Sequence, residues 1–300
     1  MLSFALKVFL NWAFIGALFF YSHSSYGNVI RIAGSDLLRD VVPDAIENSV
    51  QTERFECEFD FLGSYLAIKG IHSGEVDIAI VAIPEGTDVV EEEIEKLPFA
   101  YQIAILAVNR ANPIESVSLK QLRGVFGVNP DLKITYWGEL GLTGGWGLGD
   151  VQPVALRDVH SVALVLLKDK ALGFAIELSP SVMIVEDESQ LKQNLLKNNF
   201  SLGVFPNLPK EKEIKILPVS ETEDHYAFEP SEQNIFYGDY PLQLPFYILY
   251  SSQVVDKDYL GSLLKVLYSD RLADRLRQHY FIPLPKNVRE EKILNLDLGT

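Results

Sequence analysis

The sequence predicts an α/β fold, and three observations carry this prediction. Short β-branched runs such as residues 29–33 alternate with stretches whose apolar residues recur every three or four positions. The first two strand candidates, 29–33 and 55–62, each lead into a Gly-Ser turn and then a helical stretch. A third run, 76–81, is almost wholly apolar, as in a sheet covered on both faces. With 300 residues the chain is long enough for about two domains.

The first half of the chain is predicted as alternating strands and helices, and Ser118 with Gln121 forms a capping box. The predicted elements are a strand at 29–33, a helix beginning at Ser35 or Asp36, a strand at 55–62, a helix at 65–73 ending at Gly74, a strand at 76–81, an acidic surface loop at 91–96, a long strand at 101–108, a polar connector at 109–117 and a helix beginning at Ser118.

The second half repeats this alternation and ends in helices. The predicted elements are a flexible glycine-rich connector at 140–150, a strand at 151–156, a helix over 163–171 ending at Gly173, a helix at 189–197, a strand at 200–205, a charged and poorly periodic stretch at 209–239, a strand at 245–250 and helices at 256–268 and 270–280. Long strands on both sides of a middle block predict one domain inserted into another. Residues 28–107 with 245–300 would form lobe 1 and residues 108–244 lobe 2, with a double-strand hinge and a cleft between them.

Residues 1–27 have the pattern of a secretory signal peptide. Lys7 precedes an apolar run over 8–21 that contains Asn11 and is shorter than the ~20 residues of a membrane-spanning helix. Small residues at Ser25 and Gly27 suit cleavage before Asn28. The mature chain is therefore expected in the periplasm or outside the cell, and a retained anchor is the alternative.

Composition and motif spacing exclude several function classes. A formal net charge of −15 disfavours nucleic acid as a partner. Cys57 is the single cysteine, so no disulfide forms within the chain, and its place in an alternating run predicts a buried small hydrophobe. The histidines lack the spacing of metal ligands. Asp158, His160 and Ser161 are too close in sequence to act as a hydrolase triad. No catalytic residue, metal or cofactor is predicted.

Three serines at predicted helix starts are the feature that recurs. Ser35, Ser64 and Ser161 each follow a strand, where a helix N-terminus offers unpaired N–H groups and the positive end of the peptide dipoles. Convergence of three such ends would bind an oxyanion. Arg157, four residues before Ser161, could add a bidentate fork. The alternative interpretation is that the serines only cap their helices.

Several short segments occur in an order and spacing that cover nearly the whole chain. They are Ile30-Arg-Ile-Ala-Gly-Ser-Asp36, Gly63-Ser64 with Ile68-Lys-Gly-Ile71, Gly74-Glu-Val-Asp77, Leu97-Pro98-Phe99, residues 119–126 with Trp137, Arg157-x-x-x-Ser161, Tyr240-Pro241-Leu242 with Pro245-Phe-Tyr247, and Phe281-Ile-Pro-Leu284. With these segments the chain resembles the periplasmic phosphate-binding proteins that serve ABC importers, within the type II periplasmic binding fold. The resemblance implies a two-lobed fold with the ligand in the interlobe cleft.

The resemblance also implies which residues contact the anion. These residues are Gly34, Ser35, Asp36, Ser64, Arg157 and Ser161. Two departures from the family pattern stand out. Ser161-Val162-Ala163 replaces the family's Ser-Gly-Thr, so one hydroxyl donor is missing. Ala82 stands where the family has an Asp that accepts the proton of hydrogen phosphate. That proton acceptor is therefore missing, unless Asp36 supplies it.

The leading hypothesis is an exported, monomeric solute-binding protein for a small oxyanion, with phosphate as the first candidate, which delivers its ligand to a membrane ABC importer. A second hypothesis is a sensor, adaptor or interaction protein that uses the same fold with a degraded anion site. An enzyme is the third, although no credible nucleophile, metal or cofactor site supports it.

Overall fold

The computed structural model describes residues 28–49, 55–87, 93–129, 132–157, 162–173, 176–251 and 257–298. Within these ranges the strands are β1 (Asn28–Gly34), β2 (Phe55–Asp60), β3 (Ile78–Ala82), β4 (Ile94–Ile103), β5 (Ile105–Asn109), β6 (Val117–Ser118), β7 (Gln152–Leu156), β8 (Met183–Val185), β9 (Ser201–Phe205), β10 (Ile214–Leu217), β11 (Val219–Ser220), β12 (Gln243–Ser251) and β13 (Ile282–Pro283). The α-helices are α1 (Val42–Glu47), α2 (Ser64–Ser73), α3 (Leu119–Phe126), α4 (Gly144–Gly147), α5 (Ala163–Leu167), α6 (Glu188–Lys197), α7 (Glu232–Phe236), α8 (Lys257–Leu267), α9 (Asp270–Gln278) and α10 (Lys286–Leu298).

The strands form two main sheets. The first has the order β13-β4-β12-β3-β1-β2, the second has the order β10-β5-β9-β7-β8, and β11 pairs with β6. In the first sheet β1 runs parallel to both β2 and β3. In the second sheet β7 runs parallel to both β8 and β9. The turns that follow β1, β2 and β3 therefore share one edge of the first sheet, and those that follow β7 and β8 share one edge of the second.

The chain passes from the first sheet to the second at Ala104, between β4 and β5. The single long strand predicted over 101–108 is therefore wrong. The N–H of Ala104 donates to the carbonyl of Leu242 (2.9 Å), and the hydroxyl of Tyr240 donates to the carbonyl of Ala104 (2.7 Å). The segment that leads into β12 thus lies beside the crossing. The lobe boundaries proposed from the sequence stay a prediction.

The first two strand-turn-helix units form, with one difference from the prediction. A short 3-10 turn, Asp36–Leu38, precedes α1, so the stretch after Ser35 is not one continuous helix. Pro43 lies in the first turn of α1, where its missing N–H leaves no helical bond unmade. In the second unit α2 ends at Gly74, which adopts φ 74° in the left-handed region.

The glycine-rich segment 140–150, predicted as a flexible connector, contains regular structure. It contains α4 and follows a 3-10 turn, Trp137–Leu140. The ring of Trp146 packs against Phe200 with 5.3 Å between ring centroids. A Cβ on Gly147 would lie 2.6 Å from the carbonyl oxygen of Leu142, so the glycine permits a close approach of two backbone segments.

One other prediction needs correction, and two segments contain elements that were not predicted. The acidic stretch 91–96 is not all loop, because β4 begins at Ile94 and Lys96 lies over the ring of Tyr247, 4.0 Å from its centroid. The stretch 209–239 contains β10, β11 and α7. Helix α10 was not predicted. In these segments sequence periodicity is weak, and the short strands gain their stability from pairing with distant partners.

Cys57 is half-buried on β2, less buried than its sequence pattern predicted. Its Sγ lies 3.0 Å from the hydroxyl of Tyr259 on α8. Burial raises the pKa of the Cys57 thiol above its ordinary value. The thiol is thus held as a neutral group between the edge strand and a helix.

Candidate functional site

The first predicted anion contacts lie in the tight turn that follows β1. A Cβ on Gly34 would lie 2.5 Å from the ring of Phe61 and 2.6 Å from the carbonyl oxygen of Ile80, so only glycine fits. The N–H of Ser35 donates to that same carbonyl (2.9 Å). The Ser35 side chain is buried and its Oγ accepts from the N–H of Leu37 (3.4 Å), which confirms Ser35 as the N-cap. Asp36 is exposed in the first turn.

Ser64 is the first residue of α2, and the helix cap is Gly63 with φ 141°. The prediction that Ser64 caps this helix is therefore wrong. Its Oγ instead accepts a hydrogen bond from the N–H of Ala82 (2.9 Å). The N–H of Gly63 donates to the carbonyl of Gly34 (3.0 Å), which ties the turn after β2 to the turn after β1. Gly34, Ser64 and Ala82 thus lie together at one edge of the first sheet.

Arg157 directly follows β7 in the second sheet and forms a bidentate ion pair with Glu186. Its Nε donates to Oε2 of Glu186 (2.8 Å) and its Nη2 donates to Oε1 (2.6 Å). The hydrogen bonds from Arg157 hold the pKa of the Glu186 carboxyl below its usual range. The guanidinium edge that was predicted to meet a ligand is therefore engaged by a carboxylate of the same chain. Nothing in the sequence near Arg157 signals this partner, which lies 29 residues away.

The third predicted helix start differs from the other two. Helix α5 begins at Ala163 after Val162, which has no side chain that could cap it. Ser161, the serine predicted here, lies outside the described residues, as do Asp158 and His160. After only five residues α5 changes into a π-helical turn, Lys168–Leu172.

A polar cluster that the sequence analysis missed lies beside the strand ends. Glu85, three residues after β3, accepts a hydrogen bond at Oε1 from Nε2 of Gln243 (3.2 Å). Its Oε2 lies 4.0 Å from Nζ of Lys170, in the π-helical turn. Gln243 is buried, and its Oε1 has no hydrogen-bond partner. Because the carboxylate of Glu85 can only accept, the amide nitrogen of Gln243 must face it and the amide oxygen must point away.

The structure thus brings Gly34, Ser35 and Ser64 together at the first sheet, while Arg157 lies on the second sheet. A cavity of about 630 Å³ lies elsewhere, between α2 and the edge strand β2, and its lining includes Asp60, Leu66 and Lys69. A smaller cavity of about 360 Å³ lies beside α3. Neither of these two cavities is lined by a predicted anion contact.

Two further observations bear on the class of protein. Of the helices in the described ranges, none combines the length and the apolar character needed to cross a membrane. Among the side chains that the structure describes, no three His, Cys, Asp or Glu residues cluster in a way that suits a metal ion.

Parallel strands that end in helix starts, distributed over two sheets, define an α/β protein with the two-lobed periplasmic binding fold. Residues 22–271 match the family model described as the PBP superfamily domain. The chain belongs to this superfamily, and the predicted family and fold class are confirmed.

Relatives and solved structures agree with this assignment. The chain is 28% identical over 211 residues to the phosphate-binding protein PstS of Pseudomonas aeruginosa, a match covering 67% of this chain. It is 26% identical over 228 residues, 71% of this chain, to Protein SphX of Synechococcus elongatus. Each match spans 64% of the relative's own length.

Two crystal structures superpose over most of the chain. A possible phosphate binding protein from Planctomyces limnophilus gives a TM-score of 0.69 at 18% identity, covering 91% of this chain and 99% of the other. PstS from Borrelia burgdorferi gives a TM-score of 0.68 at 18% identity, covering 86% and 99%. At these identities the two matches establish the fold.

Proposed function

We propose that this protein binds a small tetrahedral oxyanion, with phosphate as the first candidate, between its two lobes. The observation that carries the proposal is the joined pair of turns at the first sheet, where the Gly63 N–H bonds to the Gly34 carbonyl over 3.0 Å. The first N–H groups of α2 have no partner within the helix, and the dipole of this ten-residue helix favours negative charge there. Relatives named for phosphate binding support the same ligand class.

In this proposal each predicted anion contact other than Asp36 has a physical role. Gly34 and Ser35 bring the backbone of the first turn close to the ligand. Ser64 contributes its hydroxyl proton, because its oxygen already accepts from Ala82. Arg157 supplies a positive charge and a pair of parallel N–H donors, and Ser161 supplies a further hydroxyl. Binding and release require no bond to break, so the proposal includes no catalytic step.

Thermal unfolding of the chain from residue 28 onward, with and without added anions, tests the ligand. Phosphate, arsenate, sulfate, a phosphonate and acetate form the panel. A ligand at 100 times its Kd should stabilise the protein by about 2.7 kcal/mol. Absence of a shift with every oxyanion up to tens of millimolar would contradict the proposal.

Arg157→Ala tests the site. It should abolish the phosphate-induced shift while leaving the unliganded protein close to its normal melting temperature. Arg277→Ala is the matched control, because Arg277 also pairs with carboxylates at the surface, those of Glu232 and Asp274. Unchanged phosphate binding in Arg157→Ala would show that the site is misplaced.

The proposal extends to export and delivery. Residues 1–27 are removed, the mature chain acts as a monomer in the periplasm or outside the cell, and it delivers its ligand to a membrane ABC importer. Mass spectrometry of the protein from its native host should find Asn28 at the N-terminus. Recovery of the intact N-terminus in the membrane fraction would instead indicate a retained anchor.

A second candidate is an anion-independent sensor or adaptor with the same fold. The bidentate contact of Arg157 with Glu186 favours it, because an arginine already paired within the chain can serve the structure alone. The anion panel separates the two candidates.

A further inference from the structure

The contact between Arg157 and Glu186 uses one of the two guanidinium edges that can bind an oxyanion in a bidentate way. Nε and Nη2 lie on the same side of the planar group and point their N–H bonds in parallel. Glu186 accepts both, at 2.8 and 2.6 Å. A phosphate that approached this edge in the same bidentate way would meet the two oxygens of Glu186 in its place.

The backbone fixes this pairing. Arg157 follows β7 and Glu186 follows β8, and the two strands are parallel with Leu156 opposite Val185. The N–H of Arg157 continues the ladder by donating to the carbonyl of Val185 (2.9 Å). The two side chains therefore leave the same edge of the sheet from neighbouring positions. Strand register therefore places the two residues side by side.

The pair is nevertheless easy to separate. The side chain of Arg157 is 49% exposed and that of Glu186 is 60% exposed. Ion pairs in such positions are screened by water and contribute little to stability, so Glu186 can return to solvent at small cost. A buried pair would resist displacement far more strongly.

We propose that Glu186 is an internal competitor for Arg157, and that an oxyanion enters the site by displacing its carboxylate from the guanidinium edge. This proposal rests on the function proposed above. It makes Glu186 a specificity-determining residue as well. A simple carboxylate such as acetate offers Arg157 only what Glu186 already provides. A tetrahedral anion has additional oxygens, which in this proposal accept from the N-terminus of α2 at Ser64 while two oxygens replace Glu186.

The test compares phosphate and acetate binding, by isothermal titration, in the parent and in Glu186→Gln. The neutral amide keeps the size of the side chain but is a weaker competitor. Glu186→Gln should bind phosphate about fivefold more tightly, because the exposed ion pair that competes with phosphate is lost. Glu223→Gln is the matched control, because Glu223 forms an exposed ion pair with Lys120 (3.2 Å), and it should bind as the parent does.

The double variant Arg157→Ala with Glu186→Gln separates competition for the Arg157 guanidinium from a general effect of removing a negative charge. If Glu186 acts by occupying Arg157, its replacement should give no gain when Arg157 is already alanine. An equal gain in the Arg157→Ala background would mean that removing one negative charge is sufficient, and would overturn the proposal. Unchanged or weaker phosphate binding in Glu186→Gln alone would also overturn it, and weaker binding would make Glu186 a positioning residue.

The outcomes also distinguish this proposal from the function on which it rests. If the parent binds phosphate and Glu186→Gln binds it no more tightly, Glu186 is not a competitor for Arg157, and the proposed function is unaffected. Phosphate binding only in Glu186→Gln supports both. If neither protein binds phosphate, the proposed function is refuted, and so is the role of Glu186 that depends on it.

Discussion

The hydroxyl oxygen of Ser64 accepts a hydrogen bond from the backbone N–H of Ala82 over 2.9 Å and so joins the start of α2 to the end of β3. Because the oxygen accepts in this contact, the hydroxyl proton of Ser64 is not used in it and can be donated to another group. The position where the family resemblance expects a proton-accepting Asp, Ala82, is thereby fixed next to a serine that can donate.

Ser64→Ala should lower the free energy of unfolding by about 1 kcal/mol, because the half-buried N–H of Ala82 loses its partner. Urea denaturation measures this. Ser73→Ala is the control on the same helix, because the Ser73 hydroxyl donates to the carbonyl of Gly70, which also accepts from the N–H groups of Glu75 and Val76. The control should change stability little. Equal losses in the two variants would contradict a special role for the contact with Ala82.

Ala82→Asp should shift the anion preference toward hydrogen phosphate, because a carboxylate there accepts the ligand's proton and repels a fully deprotonated anion. The parent should bind sulfate within about tenfold of phosphate, since that acceptor is missing. Competition titrations of the two anions give the ratio.

Asp36 and Glu85 lie near the strand ends, and either carboxylate could accept the proton of hydrogen phosphate in place of a residue at position 82. If the parent strongly prefers phosphate, and Asp36→Asn or Glu85→Gln abolishes that preference, the acceptor has moved to that residue and the argument from Ala82 is wrong. Glu229→Gln, a change of charge elsewhere on the chain, is the control.

Gly34→Ala should destabilise the fold by about 1–3 kcal/mol, because the new methyl group would overlap the Phe61 ring and the Ile80 carbonyl. Gly145→Ala is the control, since nothing lies within 4 Å of a Cβ there. Chemical denaturation of both variants measures the difference. A tolerated Gly34→Ala would mean that the turn after β1 can relax, and that a close backbone approach is not needed.

Alkaline conditions should unfold the protein through its buried tyrosines. Burial raises the pKa of the phenols of Tyr101, Tyr240, Tyr259 and Tyr268. At a pH below the ordinary phenol pKa of about 10, these groups make their full contribution to the stability of the folded state. Above it the unfolded chain releases protons that the folded chain keeps, so stability falls by about 1.4 kcal/mol per pH unit for each phenol.

Tyr240→Phe isolates one of these groups. The slope of unfolding free energy against pH above 10 should become shallower by about 1.4 kcal/mol per pH unit. The exposed Tyr226, replaced by Phe, should leave the slope as it is. Identical slopes in the parent and Tyr240→Phe would contradict the assignment.

The fold could be predicted largely from local signals, as the first two units illustrate. Apolar periodicity, the Gly-Ser turns and Gly74 are all readable within about ten residues of chain, and the structure places strands and helices there. The break at Ala104 could not be predicted, because both sides of it are equally apolar and the change of sheet depends on partners more than 100 residues away.

The candidate site divides in the same way. Ser35 was found because a helix cap is a local motif. Glu186 and Gln243 were missed because their contacts join residues 29 and 158 positions apart. Such contacts are set by strand register and sheet order, and a single sequence records neither.

The paired contacts at Ala104 have a mechanical consequence. Its N–H is bound to the carbonyl of Leu242 and its carbonyl to the hydroxyl of Tyr240, so the outgoing and returning segments of the chain are joined on both sides of one residue. Displacing either segment at this point would break one of the two hydrogen bonds unless the other segment moved with it.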